Sequence, residues 1–219
     1  MFQSRRKTSS SNNRRNLIAY SNPDSFIAEQ FRTLRTNVQF LMGKEENPIL
    51  LITSPTKGEG KSNTAANIAV SIAQQKERVL VIDANLREPA LHSIFKISNE
   101  NGLTDVLTER ITFEDAVFRT EIGRLEVLTS GVIPHNPTEL LGSEKLGQLF
   151  QQVKKLYDFI VVDSSGVLDL ADTKVLANKC DGVILVVNEC LTQSEDAIET
   201  KKALELAKAR LIGLVVNEI

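Results

Sequence analysis

The sequence predicts an α/β domain built on a mainly parallel sheet sandwiched by helices, and three observations carry that prediction. Short β-rich runs alternate with helical stretches along most of the 219 residues. The runs are largely unbroken strings of Val, Ile and Leu, the pattern of strands covered by helices on both faces. The first run ends in a glycine-rich turn that opens at once into a helical pattern. Composition agrees: 42% hydrophobic and 25% charged residues suit a packed globular chain and exclude collagen-like, coiled-coil or wholly disordered architectures. The length suits one domain with a sizeable core.

Residues 1–20 read as a disordered basic arm. Within it Arg5, Arg6, Lys7, Arg14 and Arg15 stand without an acid, among Ser and Asn. A solvated tail is the simpler reading; contact with anionic lipid or an acidic partner is the sharper one. Residues 21–219 read as a single domain, whose first element, over 21–43, is a helix. Ser21 or Asn22 supplies its cap, Pro23 and Asp24 its first turn, and Phe26, Ile27, Phe31, Leu34, Val38 and Leu41 an apolar face. The predicted strands are Ile49–Thr53, Val79–Asp83, Leu125–Thr129, Phe159–Asp163, Val183–Val187 and Ile212–Asn217. Between them fall helices near Ser62–Gln75, Thr138–Leu156, Asp169–Asn178 and Ser194–Lys208, with two short ones starting near Leu103 and Phe113.

Several function classes drop out. A net charge of −2 carries no global footprint for nucleic acid. Cys180 and Cys190 form no CxxC pair, so neither a disulfide framework nor a zinc site is suggested. His92 and His135 stand apart and make no triad or metal spacing. No apolar run reaches the roughly 18–20 residues that cross a bilayer, and the start lacks the apolar middle of a signal peptide. A cytoplasmic location is expected.

The first strand runs into Thr53-Ser54-Pro55-Thr56-Lys57-Gly58-Glu59-Gly60-Lys61-Ser62, followed by Ala65, Ala66, Ile68, Ala69 and Ile72 at helical spacing. Strand, glycine-rich turn and helix are the context of a P-loop, in which backbone amides close around phosphate at a helix N-terminus. Lys57, Gly58, Glu59, Gly60, Lys61, Ser62 and Asn63 form the expected nucleotide-binding set. Lys61 would reach the β- and γ-phosphates and Ser62 would bind Mg²⁺. Pro55 stands where the usual first glycine falls, so the loop is a deviant one. A turn that merely joins strand to helix does not explain Lys61, because a helix start disfavours a cation unless an anion is bound there.

The second and fourth predicted strands end in Asp83 and Asp163. An acid at the carboxyl end of an apolar parallel strand faces the crevice where ligands bind in this fold class. Both should converge on the P-loop. Asp163 fits a role in holding the Mg²⁺ shell, and Asp83 is then free to orient or deprotonate an attacking hydroxyl. Either one alone could be a helix cap; two of them beside a P-loop argue for the site.

These residues resemble a known family. The deviant loop, Asp83-x-Asn85-x-Arg87, Gly102-Leu103-Thr104-Asp105-Val106-Leu107, Leu128 to Leu141 with its Ser130-Gly131-Val132-Ile133-Pro134-His135-Asn136-Pro137-Thr138-Glu139-Leu140 core, and Asp163 occur in the order seen in bacterial tyrosine kinases. The chain is similar to the separate cytoplasmic kinase subunit of Gram-positive capsule and exopolysaccharide loci, within the MinD/ParA-like P-loop NTPases. The likeness runs from Ser21 to Asn217. It implies ATP and Mg²⁺, with transfer of the γ-phosphoryl group to a tyrosine hydroxyl of the chain itself or of other proteins, such as sugar-nucleotide or polysaccharide enzymes. It implies Asp83 as base, Lys61 on the phosphates, Ser62, Asp83 and Asp163 around the metal, Arg87 at the phosphate region, and Asn217 against adenine. It also implies activation by the cytoplasmic tail of a transmembrane adaptor, a polysaccharide co-polymerase that recruits the kinase to the inner face of the membrane. Glu29, Arg32 and Arg35 resemble the family's Glu-x-x-Arg-x-x-Arg oligomerisation motif and imply a ring-like homo-oligomer; from spacing alone they read as a salt-bridged helix flank.

The sequence also departs from that family. Asn85 replaces the usual second Asp, which predicts slower transfer. Ser164-Ser165-Gly166 follows Asp163 where the family has Thr-Pro-Pro, which predicts a looser loop. The only tyrosines are Tyr20 and Tyr157. Either a tyrosine-rich tail follows Ile219, or this member acts on other proteins or has lost autophosphorylation. No HRD or DFG triplet is present, which excludes the eukaryotic-type kinase fold. Two rival functions follow: an ATP-binding oligomeric scaffold with weak transfer, and a MinD/ParA-like ATPase. The second is weakened by Thr56, which stands where those ATPases carry a signature lysine.

Overall fold

The computed structural model describes residues 17–43 and 45–218. The predicted basic residues Arg5 to Arg15 lie outside them. The described chain opens with α1 (Ile18–Ser21) and α2 (Phe26–Met42), then β1 (Ile49–Ser54), α3 (Lys61–Ala73) and β2 (Val79–Asp83). Three short helices follow, α4 (Leu91–Phe95), α5 (Leu103–Leu107) and α6 (Phe113–Ala116), and then β3 (Val117–Arg119) and β4 (Leu125–Leu128). The chain continues through α7 (Pro137–Gly142), α8 (Glu144–Val153), β5 (Phe159–Gly166), α9 (Asp172–Ala177), β6 (Gly182–Asn188), α10 (Ser194–Leu206) and β7 (Leu211–Asn217).

The seven strands form one sheet in the order β3-β4-β2-β5-β1-β6-β7. Every pairing is parallel except β3 with β4. Alternation along each strand divides the core. Ile49 and Leu51 of β1 turn toward a layer that includes Leu103, Leu141, Phe150, Leu176 and Leu204, from α5 and α7 to α10. Leu50 and Ile52 turn toward Val38, Ile68, Ile72 and Leu91, from α2 to α4. The predicted helix–sheet–helix sandwich is therefore what forms. β5 lies between β2 and β1, so the carboxyl ends of all three meet at the point where the strand order reverses.

Four local expectations change. Residues 17–20, expected within the basic arm, pack on the domain: Ala19 is buried, its amide donates to Asn67 Oδ1 at 2.9 Å, and its carbonyl accepts from Gln74 Nε2 at 2.9 Å, which fixes α1 to α3. With α1 using Ser21, the cap of α2 moves to Ser25, whose hydroxyl accepts from the Ala28 amide at 3.1 Å. The helix expected over Thr138–Leu156 breaks at Ser143, which is extended (φ −63°, ψ 159°) and donates its hydroxyl to Leu140 O at 2.7 Å. Finally, β3 and α4 lie outside the predicted elements: β3 has three residues, and α4, unlike α6 with its Thr112 cap, follows Ala90 with no side-chain cap to announce it.

Candidate active site

The loop after β1 needs backbone that only glycine adopts freely. Gly58 has φ +85° and Gly60 φ +92°, and Gly60 is the N-cap of α3. A side chain at Gly60 would place Cβ 2.1 Å from Asn217 Nδ2, whereas one at Gly58 would meet nothing within 4 Å. The loop thus has a packed back and an open front. Because the N-cap is glycine, no side chain occupies the first-turn amides of α3, which is the geometry an anion takes up. Lys61, the first residue of α3, is almost wholly buried.

Asp83 and Asp163 are paired in register on β2 and β5, and both have zero exposure. Their surroundings differ. Asp83 Oδ1 accepts from the Asn85 amide at 3.2 Å, and Oδ2 from the amides of Ala90 and Leu91 at 3.0 and 2.9 Å. Three of a carboxylate's roughly four acceptor positions are filled. Neither oxygen of Asp163 has a hydrogen-bond partner among the described residues. The Lys61 ammonium and Ser62 hydroxyl favour its anion, the hydroxyl without reaching a hydrogen-bond position on it. Desolvation pushes both carboxyls above the usual range, and for Asp83 the neighbouring Asp163 charge adds to it.

A buried carboxylate with both oxygens unsatisfied is costly unless a cation or its water shell completes it. Mg²⁺ takes one or two carboxylates together with waters and phosphate oxygens, so Asp163 with Ser62 fits that ion. Among the described residues no group of three or more His, Cys, Asp or Glu could form an all-protein metal cage.

The other expected residues each have a place in the chain's own contacts. The Glu59 side chain is buried away from the open front: its Oε1 accepts from Thr56 Oγ1 at 3.0 Å, and desolvation raises its pKa. Lys57 is exposed at the rim, 3.7 Å from Glu88 Oε1. Asn63 lies in the first turn of α3, where its carbonyl accepts from Asn67 Nδ2 at 2.9 Å. Asn217, expected against adenine, donates Nδ2 to Glu59 O at 3.0 Å and so braces the P-loop from behind. Arg87 is held by Asp172, Nε to Oδ2 at 2.8 Å, a partner that sequence reasoning missed because 85 residues separate the two. Asn85 serves its own turn, donating Nδ2 to Glu88 O at 2.7 Å and accepting from Glu88 N at 3.3 Å.

On α2, Arg32 bonds Glu29 at 2.7 Å and Pro23 O at 2.9 Å. Arg35 donates to Ser71 O on α3 at 2.7 Å. All three residues of the expected oligomerisation motif therefore lie on one helix, but Arg35 is turned inward.

Fold and loop together define a class, the P-loop ATPases. A family model described as an AAA domain matches residues 49–204, and MinD of Pyrococcus horikoshii complexed with Mg-ADP superposes with a TM-score of 0.67 at 25% identity, over 78% of this chain and 70% of that one. Nearer relatives narrow the class. Tyrosine-protein kinase YwqD of Bacillus subtilis is 42% identical over 212 residues, 97% of this chain and 90% of that protein. Tyrosine-protein kinase CpsD of Streptococcus agalactiae serotype III is 35% identical, over 87% of this chain and 82% of that one. The kinase domain of Escherichia coli tyrosine kinase ETK superposes with a TM-score of 0.89 at 31% identity, over 98% of this chain and 85% of that one. The chimerical protein CapA2B2 gives 0.89 at 35%, over 93% and 89%. The chain belongs to the bacterial tyrosine kinases, within the AAA-domain P-loop ATPases.

Proposed function

We propose that this chain transfers the γ-phosphoryl group of ATP to protein tyrosines and thereby regulates capsule or exopolysaccharide synthesis. The observation that supports it is the buried Asp83–Asp163 pair at the switch point beside an open-fronted P-loop. The loop amides and Lys61 would bind the β- and γ-phosphates and oppose the charge that develops on them. Mg²⁺, carried by Ser62 and Asp163, would neutralise phosphate charge. Asp83 orients the acceptor: its remaining acceptor position takes the tyrosine O–H proton as the phenolic oxygen bonds to phosphorus and the bond to the β–γ bridging oxygen breaks. The raised pKa makes the ionised form of this carboxyl the stronger base, so this role belongs to the fraction of sites in which Asp83 is ionised.

By the same reading the chain assembles as a ring-like homo-oligomer and is switched on by the cytoplasmic tail of a transmembrane adaptor. The likeness to the chimerical protein CapA2B2 is the comparison that favours such a partner. Among the described residues no helix is long and apolar enough to cross a membrane, so recruitment to the inner face of the membrane is assigned to the adaptor. Sugar-nucleotide and polysaccharide enzymes are the proposed acceptors.

The test is phosphotyrosine formation with Mg-ATP, with and without the adaptor tail, against Lys61→Met as blank. Adaptor-dependent phosphotyrosine absent from the blank supports the kinase. Nucleotide binding and assembly without transfer would favour an ATP-gated scaffold, a reading that Asn85 makes specific: its side chain is bonded to Glu88, and this loop adds no carboxylate to the Asp83–Asp163 pair.

A further inference from the structure

Arg87 sits in the loop between β2 and α4, far in sequence from α7 and α9, yet its guanidinium is gripped by both helices. Nε donates to Asp172 Oδ2 at 2.8 Å and Nη2 to Asp172 Oδ1 at 3.4 Å, a side-on bidentate pair. Thr138 Oγ1, the second residue of α7, accepts from Nη2 at 3.4 Å and donates a short hydrogen bond to Asp172 Oδ1. The two partners differ in burial: the Asp172 side chain is 3% exposed and that of Arg87 39%. Asp172 is the first residue of α9 but makes no side-chain cap there; its carboxylate is given to the other two groups. The base of the same loop is fastened separately, by the amides of Ala90 and Leu91 on Asp83 and by Asn85 on Glu88.

The arginine therefore has a fixed stem and a fixed shoulder. Its Nη1 is the one guanidinium nitrogen without a partner among the described residues. A free arginine side chain carries about 2 kcal/mol of rotamer entropy, which a ligand must overcome to order it. A buried acid that orders it beforehand removes that cost from binding and from the transition state.

We propose that Asp172, completed by the Thr138 hydroxyl, is the positioning residue that presets Arg87 for the terminal phosphate of the nucleotide. The inference rests on the phosphotransfer reading of the site, and its test is arranged to outlive that reading. With Mg²⁺ present, calorimetry compares the dissociation constants of ADP and a non-hydrolysable ATP analogue for the full chain, for Arg87→Ala, for Asp172→Asn and for the double variant. Preference for the ATP analogue should fall about 5-fold or more in each single variant, and the double variant should be no worse than Arg87→Ala. Turnover should fall on the order of 10- to 100-fold. Asp172→Glu should restore part of both, and Thr138→Val should give a smaller loss. A purely structural salt bridge would lower the melting temperature without changing the analogue-to-ADP preference. That result, or a loss in the double variant that adds to the loss in Arg87→Ala, overturns the proposal. Absence of phosphotyrosine from the unaltered chain would sink the kinase reading and leave the affinity comparison valid.

Discussion

Two aspartates stand side by side in register on β2 and β5, and the chain treats them in opposite ways. Asp83 is filled by three backbone amides and closes its own loop, whereas neither oxygen of Asp163 has a hydrogen-bond partner in place among the described residues. Equal burial therefore does not mean equal duty. The Asp83 side chain fastens its own loop and keeps one acceptor position open; the Asp163 side chain is buried at a cost that a bound cation would offset. The proposed division of labour, a proton for one and a metal for the other, rests on that difference.

The largest expected effect removes what both acids face. Lys61→Met should reduce phosphotyrosine formation by at least about 10³-fold, read on blots with Mg-ATP. If that variant kept substantial activity, neither acid would be working on phosphate. Next, Asp163→Asn should lower transfer by roughly 10²-fold or more and yet make the metal-free protein more stable. A carboxyl whose folded pKa is raised binds protons more readily folded than unfolded, so its ionisation destabilises the fold increasingly as pH rises past the ordinary carboxylate range. The melting temperature of Asp163→Asn should thus exceed that of the parent by about 2–6 °C at pH 8 and match it near pH 4, with Mg-ADP erasing the gain.

Asp83→Ala should do the reverse to the fold. It should suppress transfer more than ATP binding and cost about 2–3 kcal/mol of stability, because three amides lose their acceptor; the loss should shrink as pH rises, since the Asp83 carboxyl also has a raised pKa and its ionisation opposes folding. If the two aspartate variants shifted melting in the same direction, the contrast drawn above would be broken. Gly60→Ala is a smaller probe of the packed back of the loop: with φ +92° and Cβ at 2.1 Å from the Asn217 amide, it should cost about 1–3 kcal/mol and weaken nucleotide binding. Smallest is Arg32→Ala with Arg35→Ala. Loss of the Arg35–Ser71 bond should cost about 1 kcal/mol by calorimetry, and light scattering should show a smaller assembly that still binds nucleotide.

Much of this was legible in the sequence because the features are local. The apolar runs at Ile49, Val79 and Phe159 announce buried parallel strands, and an acid at the end of two of them places Asp83 and Asp163 without any knowledge of packing. The glycines at 58 and 60 announce the loop for the same reason. What escaped was whatever depends on two distant segments meeting. Nothing near Arg87 indicates Asp172, nothing near Glu59 indicates Asn217, and the inward turn of Arg35 depends on Ser71 across a helix pair. The break at Ser143 escaped because the apolar spacing continues through it; Leu141 and Leu146 are both in the core on either side.

The brace from Asn217 to Glu59 spans 158 positions. On the ribosome, at about 5–20 residues per second, the strand that carries Asn217 is made roughly 8–30 s after the loop it supports. A nascent chain that already has its phosphate loop, its P-loop helix and both aspartates still lacks the rear support of that loop. The loop is thus made long before the residue that braces it, and its rear contact forms only once β7 has joined the sheet beside β6.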